Sequence, residues 1–140
     1  MEFELAGQSY RAGKIDARAQ FHIVRRLAPV LGELAPSLAA GSKQGMEALP
    51  ALANAIAKLS DTDADYCLFG LIGVISRKQP QGMGWGPVST GTTLMYEDVT
   101  MPVMLQLAWK SLQFNMSGFF AALPSDLKEA AQKASAQSNG

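Results

Sequence analysis

The stretch MPVMLQLAWKSLQFNMSGFF, residues 101–120, decides the fold. Pro102 suits the first turn of a helix, where a missing N–H costs nothing, and Thr100 just before it is a capping candidate. Beyond them Val103, Met104, Leu105, Leu107, Trp109, Leu112, Phe114, Met116, Phe119 and Phe120 leave only a narrow polar strip of Gln106, Lys110, Gln113 and Ser117. A surface helix keeps one side wet. This one, predicted to run to about residue 123, carries more apolar surface than one core contact uses. It is either a core helix or a helix that offers part of its surface to a partner. Aromatic and methionine side chains are the usual anchors of interfaces, so Trp109, Phe114, Met116, Phe119 and Phe120 are the candidate partner-binding residues.

Upstream, residues 80–91 are punctuated by Gly82, Gly84, Gly86, Pro87 and Gly91, and Thr92 to Tyr96 favour a strand. Together they predict a small hairpin across residues 85–96. Ser60 caps a predicted helix with Asp61, Asp63 and Asp65 at its positive end and Arg77 and Lys78 at its negative end. Between them Leu68, Phe69, Leu71, Ile72, Val74 and Ile75 cover most of the circumference, which marks this as the expected central core helix. Gly70 and Gly73 fall on one side of it; a helical glycine costs about 1 kcal/mol, and close approach by a neighbouring element explains that cost.

Met46, Leu49, Leu52, Ala53, Ile56 and Leu59 form another helical stripe, with Pro50 placed in its first turn. Residues 34–45 read as a loop. Asp16 is an N-cap for a helix from Ala17, with Phe21, Val24, Leu27, Ala28 and Leu31 as its apolar stripe and Pro29 as its stop. At the front, Glu2-Phe3-Glu4-Leu5 and Ser9-Tyr10-Arg11 alternate around Ala6-Gly7-Gln8, a strand–turn–strand pattern. The expected fold class is α+β: a mainly helical single domain over residues 1–125 with two small hairpins. Residues 126–140 are expected to form a short helix and a frayed polar tail.

The 140 residues fit one domain. Charged residues are 17% of the chain, below the ~25% usual for soluble domains, which favours self-association or a hydrophobic partner. Twelve basic and twelve acidic residues cancel. A nucleic-acid binder needs a basic excess for its phosphate contacts, so none is expected. The basic lean of the first thirty residues reads as a solvated helix face. Cys67 is the single cysteine, so no internal disulfide forms. The acidic start lacks a signal-peptide pattern, and the longest apolar run, residues 66–75, is half of what a membrane span needs. The expected location is cytoplasmic, with no membrane partner.

No constellation of catalytic or metal-ligating residues is legible. His22 is the only histidine and sits beside Arg18 and Arg25 on a polar helix face. Asp61, Asp63 and Asp65 open like a calcium loop, but Tyr66 and Ile72 occupy the places that need glycine and glutamate. The Gly82-Gly84-Gly86 series leads into a strand rather than a helix, unlike a phosphate cradle. Glu97 and Asp98 are sequence neighbours and do not converge on one atom. The reading is a protein that is not an enzyme and has no cofactor and no metal.

The sequence resembles the tail assembly chaperones of long-tailed bacteriophages and prophages. The resemblance lies in residues 3–14, in Gln20-Phe21-His22 with Arg25-Arg26-Leu27-Ala28-Pro29, and in Leu94-Met95-Tyr96-Glu97-Asp98-Val99. It continues in Pro102 with Met104, Leu107, Trp109, Gln113, Asn115, Phe119 and Phe120. It implies a small, mostly helical protein of the host cytoplasm that coats the tape-measure protein, keeps it soluble and helps recruit tail-tube subunits. Members are often made in a short form and a longer frameshifted form. A homo-oligomer is expected, because an uncovered apolar helix face invites aggregation. The alternative is a structural tail subunit, tube or connector, retained in the virion.

Overall fold

The computed structural model describes residues 1–30, Gly32 and 45–122, without the side chains of 45–48 and 117–122. The expected loop at 34–45 and the segment 126–140 lie outside these residues, apart from Gly45.

Glu2–Leu5 (β1) and Gln8–Ala12 (β2) form an antiparallel hairpin with Phe3 opposite Tyr10. Its two-residue turn puts Ala6 at φ 51° and Gly7 at φ 78°. Both lie in the left-handed region that matches the twist of a hairpin. Gly7 occupies that region without penalty, whereas the Cβ of Ala6 does not.

Ala17–Leu27 (α1) is capped by Asp16, whose Oδ1 accepts the Ala19 N–H at 2.8 Å. A 3-10 turn, Ala28–Val30, follows where Pro29 halts it. The buried face of α1 is centred on Ile23 and Leu27, while Phe21 is 62% exposed. Leu27 and half-buried Val24 of the expected stripe face the core, whereas Phe21 and Ala28 point out to solvent.

Gly45–Ala57 (α2) holds Pro50 as its sixth residue, in the second turn rather than the first. Asp61–Ile72 (α3) begins where Ser60 Oγ accepts the Asp63 N–H at 3.1 Å. It stops at Ile72, earlier than expected: the Gly73 N–H closes onto the Phe69 carbonyl at 2.9 Å. Ile75–Lys78 is then a strand (β3), so Arg77 and Lys78 belong to a sheet and not to a helix end.

β3 pairs with β2 on one side and with Trp85–Pro87 (β4) on the other, giving an antiparallel order β1-β2-β3-β4. Ser89–Thr90 (β5) and Thr93–Leu94 (β6) make a separate two-stranded hairpin. The expected second hairpin is thus split: β4 extends the large sheet, and only the short β5–β6 pair closes on itself.

Met101–Ala122 (α4) is the central helix, a place expected for α3. It contacts α2, α3 and β2. Trp109, Leu107 and Ala108 are completely buried, and none of residues 103–116 is exposed. The core is one cluster in which these residues join Tyr10, Ile23, Leu52, Ile72, Ile75 and Val88.

Asn115 of α4 reaches back to the connection between β2 and α1. Its Oδ1 accepts the Ile15 N–H at 2.7 Å, and its Nδ2 donates to the Gly13 carbonyl at 3.2 Å and to the Ser111 carbonyl at 3.0 Å. Gln20 Nε2 donates to the Asn115 carbonyl at 3.5 Å.

Two outcomes are expected in urea unfolding. Asn115→Ala strands the Ile15 N–H and the Gly13 carbonyl and lowers stability by about 2 kcal/mol. Ala6→Asn places a residue tolerant of positive φ in the turn and raises stability by about 0.5–1 kcal/mol. An unchanged midpoint contradicts the Asn115 clamp in the first case and the cost of the positive φ at Ala6 in the second.

Candidate functional site

α1 and α3 cross where Gly70 meets Ile23; a Cβ at Gly70 would sit 3.1 Å from Ile23 Cδ1. The missing side chain lets the two helices approach, as the sequence suggested for this glycine. Beside the crossing runs an open groove of about 450 Å³. Ala19 and Ile23 of α1 form one wall, Tyr66 and Phe69 of α3 the floor, and Gly91 and Thr92 of the β5–β6 turn the far side.

The rim of this groove is fixed by one stacked ion pair. Arg26 reaches Asp63 Oδ1 at 2.8 Å and lies 3.9 Å over the Tyr66 ring. His22 meets Tyr66 edge-on at 6.4 Å and Phe21 at 5.4 Å. Exposed Phe21 thus extends an aromatic row outward from Tyr66. The surface is suited to holding apolar side chains, because burial contributes about 25 cal/mol per Å² without requiring a fixed sequence.

The five residues picked on α4 separate. Trp109 is 0% and Met116 2% exposed, so both are core residues and offer no surface to a partner in this arrangement. Trp109 Nε1 is buried with no hydrogen-bond partner among the described residues. Phe114 is half-buried against the core. The side chains of Phe119 and Phe120 lie outside the described set. The groove residues were missed; Phe69 and Gly70 were read only as parts of a core helix. Gly70, whose cost in a helix points to a close-packed neighbour, is the sequence signal nearest to the groove.

Among the described residues, no group of three or more His, Cys, Asp or Glu is positioned to hold a metal. Cys67 is buried, with its Sγ 3.9 Å from the Ile23 carbonyl. Burial pushes its pKa up to about 11, against the pull of Arg26. A reactive cysteine needs the opposite shift, so this thiol stays protonated at neutral pH.

A second polar cluster pins the sheet. Arg77 Nη1 donates to Asp98 Oδ1 at 2.6 Å, and its guanidinium lies 4.4 Å over Tyr96. Burial works against the charge on Arg77, but the hydrogen bond and charge of Asp98 outweigh it and hold its pKa above the ordinary value. The hydrogen bond from Arg77 holds the Asp98 carboxyl below its ordinary range. Burial raises the pKa of Tyr10, while Arg77 opposes it.

The domain so described is a helix-centred scaffold with an open, mostly apolar groove. Its sequence matches the family model of phage tail assembly chaperone proteins (TAC) over residues 6–128, and the chain belongs to that family. Comparison with curated proteins and with solved structures gives no match. Among the described residues, no helix is long and apolar enough to cross a membrane.

A depressed carboxyl stabilises the fold above its unfolded pKa, and that contribution is lost as pH falls through the folded pKa. Wild type and Asp98→Asn are therefore expected to differ in thermal midpoint near neutral pH and to converge in acid, below about pH 4. A pH-independent gap would show that Asp98 acts by packing alone.

Proposed function

We propose that this protein binds the tape-measure protein during tail assembly, keeps it soluble and helps recruit tail-tube subunits, in the host cytoplasm. Membership of the tail assembly chaperone family carries this reading. The apolar groove between α1 and α3 supports it as an adaptable docking surface, and Phe21, 62% exposed, adds an apolar side chain linked to the groove's Tyr66 through His22. Phe114, Phe119 and Phe120 of α4 are proposed as further partner-binding residues. Trp109 and Met116 serve the fold that presents them.

The test is co-expression with the tape-measure protein of the same gene cluster. The client is expected to be soluble with this chain and to be captured by it. Phe21→Asp and Phe114→Asp are each expected to reduce capture about tenfold or more, as loss of an aromatic anchor does, in variants whose circular dichroism is unchanged. A client equally soluble alone, with no capture, overturns the chaperone reading. Retention of the chain in purified particles would instead identify a structural subunit.

A further inference from the structure

The four-stranded sheet has one covered face and one open face. The register places Phe3, Leu5, Tyr10, Ala12, Ile75 and Gly86 together on the covered side, and each of these is buried or half-buried. The other side carries Glu2 and Glu4 on β1, Arg11 on β2, Lys78 on β3 and Trp85 on β4. All five are exposed except Trp85, which is half-buried.

The charges on this face are segregated by strand. Glu2 and Glu4 line the β1 edge, and Arg11 and Lys78 lie toward β4. Glu2 is the register partner of Arg11, yet the Arg11 guanidinium turns the other way and lies 4.5 Å over the Trp85 ring. Among the described residues, Glu2, Glu4 and Lys78 have no ion-pair partner. The face is net neutral, acidic at one edge and basic with an aromatic toward the other. That pattern repels a polyanion at one edge and a polycation further across. It is complementary to itself.

We propose that this open sheet face docks a second copy of the same chain about a two-fold axis parallel to the strands. The charges select that axis. Rotation about it sets β1 of each copy over β4 of the other and β2 over β3. Glu4 then faces Trp85 of the second copy, with Lys78 on the strand next to it, displaced sideways by about 4.8 Å and within the reach of its long side chain. A two-fold perpendicular to the strands would set Glu2 over Glu4 of the second copy, like charge on like charge. Edge-to-edge extension is poorly served, because β4 ends in Pro87, which has no N–H to donate. Arg11, of a residue type enriched at the centres of interfaces, lies on the inner strand β2 and reaches across to Trp85 on the β4 edge. The strands are short, 4, 5, 4 and 3 residues, and the facing groups are mostly charged, so the association is weak and salt-sensitive.

The test is sedimentation equilibrium of the full chain over a concentration series, independent of any client. The wild type is expected to dimerise reversibly and to dissociate in high salt. Glu4→Lys and Lys78→Glu are each expected to weaken the dimer about tenfold or more. Combined in one chain they restore it, because the pairing is reversed rather than lost. Mixing the two single variants is expected to give a heterodimer, since each then supplies the charge the other lacks. Both positions are exposed, and circular dichroism checks that each variant folds. A chain that stays monomeric up to about 1 mM, or a dimer indifferent to both substitutions, overturns the proposal.

Discussion

The carboxamide of Asn115 is the contact on which the arrangement of the rest depends. Between β2 and α1 the chain leaves a sheet and enters a helix, and there the Gly13 carbonyl and the Ile15 N–H lack partners of their own kind nearby. Asn115 satisfies both from the middle of α4. An amide is the side chain that accepts and donates at once at this spot. By holding this connection it sets where α1 starts, and hence where Ile23 meets Gly70 and where the groove opens. The sheet, the central helix and the groove-forming helix are therefore positioned by one side chain with several partners.

Much of this fold was legible in local chemistry. The first hairpin, the Asp16 and Ser60 caps and the span of α4 follow from alternation, side-chain acceptors and a tolerated proline. The failure at α3 and β3 has a definite cause. Residues 66–75 form an unbroken apolar run, and periodicity does not separate a buried helix from a buried strand within such a run. Gly73 ended the helix by capping it, yet the sequence equally allowed a glycine buried in a helix crossing. Once β3 is a strand, Arg77 changes role, from neutralising a helix end to bridging Tyr96 and Asp98.

The partner surface was less legible, for a reason of geometry. The abundance of large apolar residues on α4 was read correctly, but its meaning depends on how many neighbours the helix has. With α2, α3 and β2 around it, α4 has little apolar surface left over among its described side chains, and Trp109 and Met116 are enclosed. Among the described residues, an open apolar groove lies between α1 and α3. There an exposed Phe21 and a stacked Arg26–Tyr66 pair carry no pattern stronger than that of an ordinary amphipathic helix.

Asn115 and Ile15 lie 100 residues apart in the chain. A ribosome makes the hairpin, α1 and α3 well before it makes α4. Until residue 115 emerges, the β2–α1 connection has no clamp, and α2 and α3 have no central helix to pack against. Contacts of such long sequence separation are formed late, because loop closure comes before any gain from the contact. This domain is thus completed from its far end: a nascent chain stopped before α4 would hold its local elements without the helix that joins α2, α3 and β2 into one core.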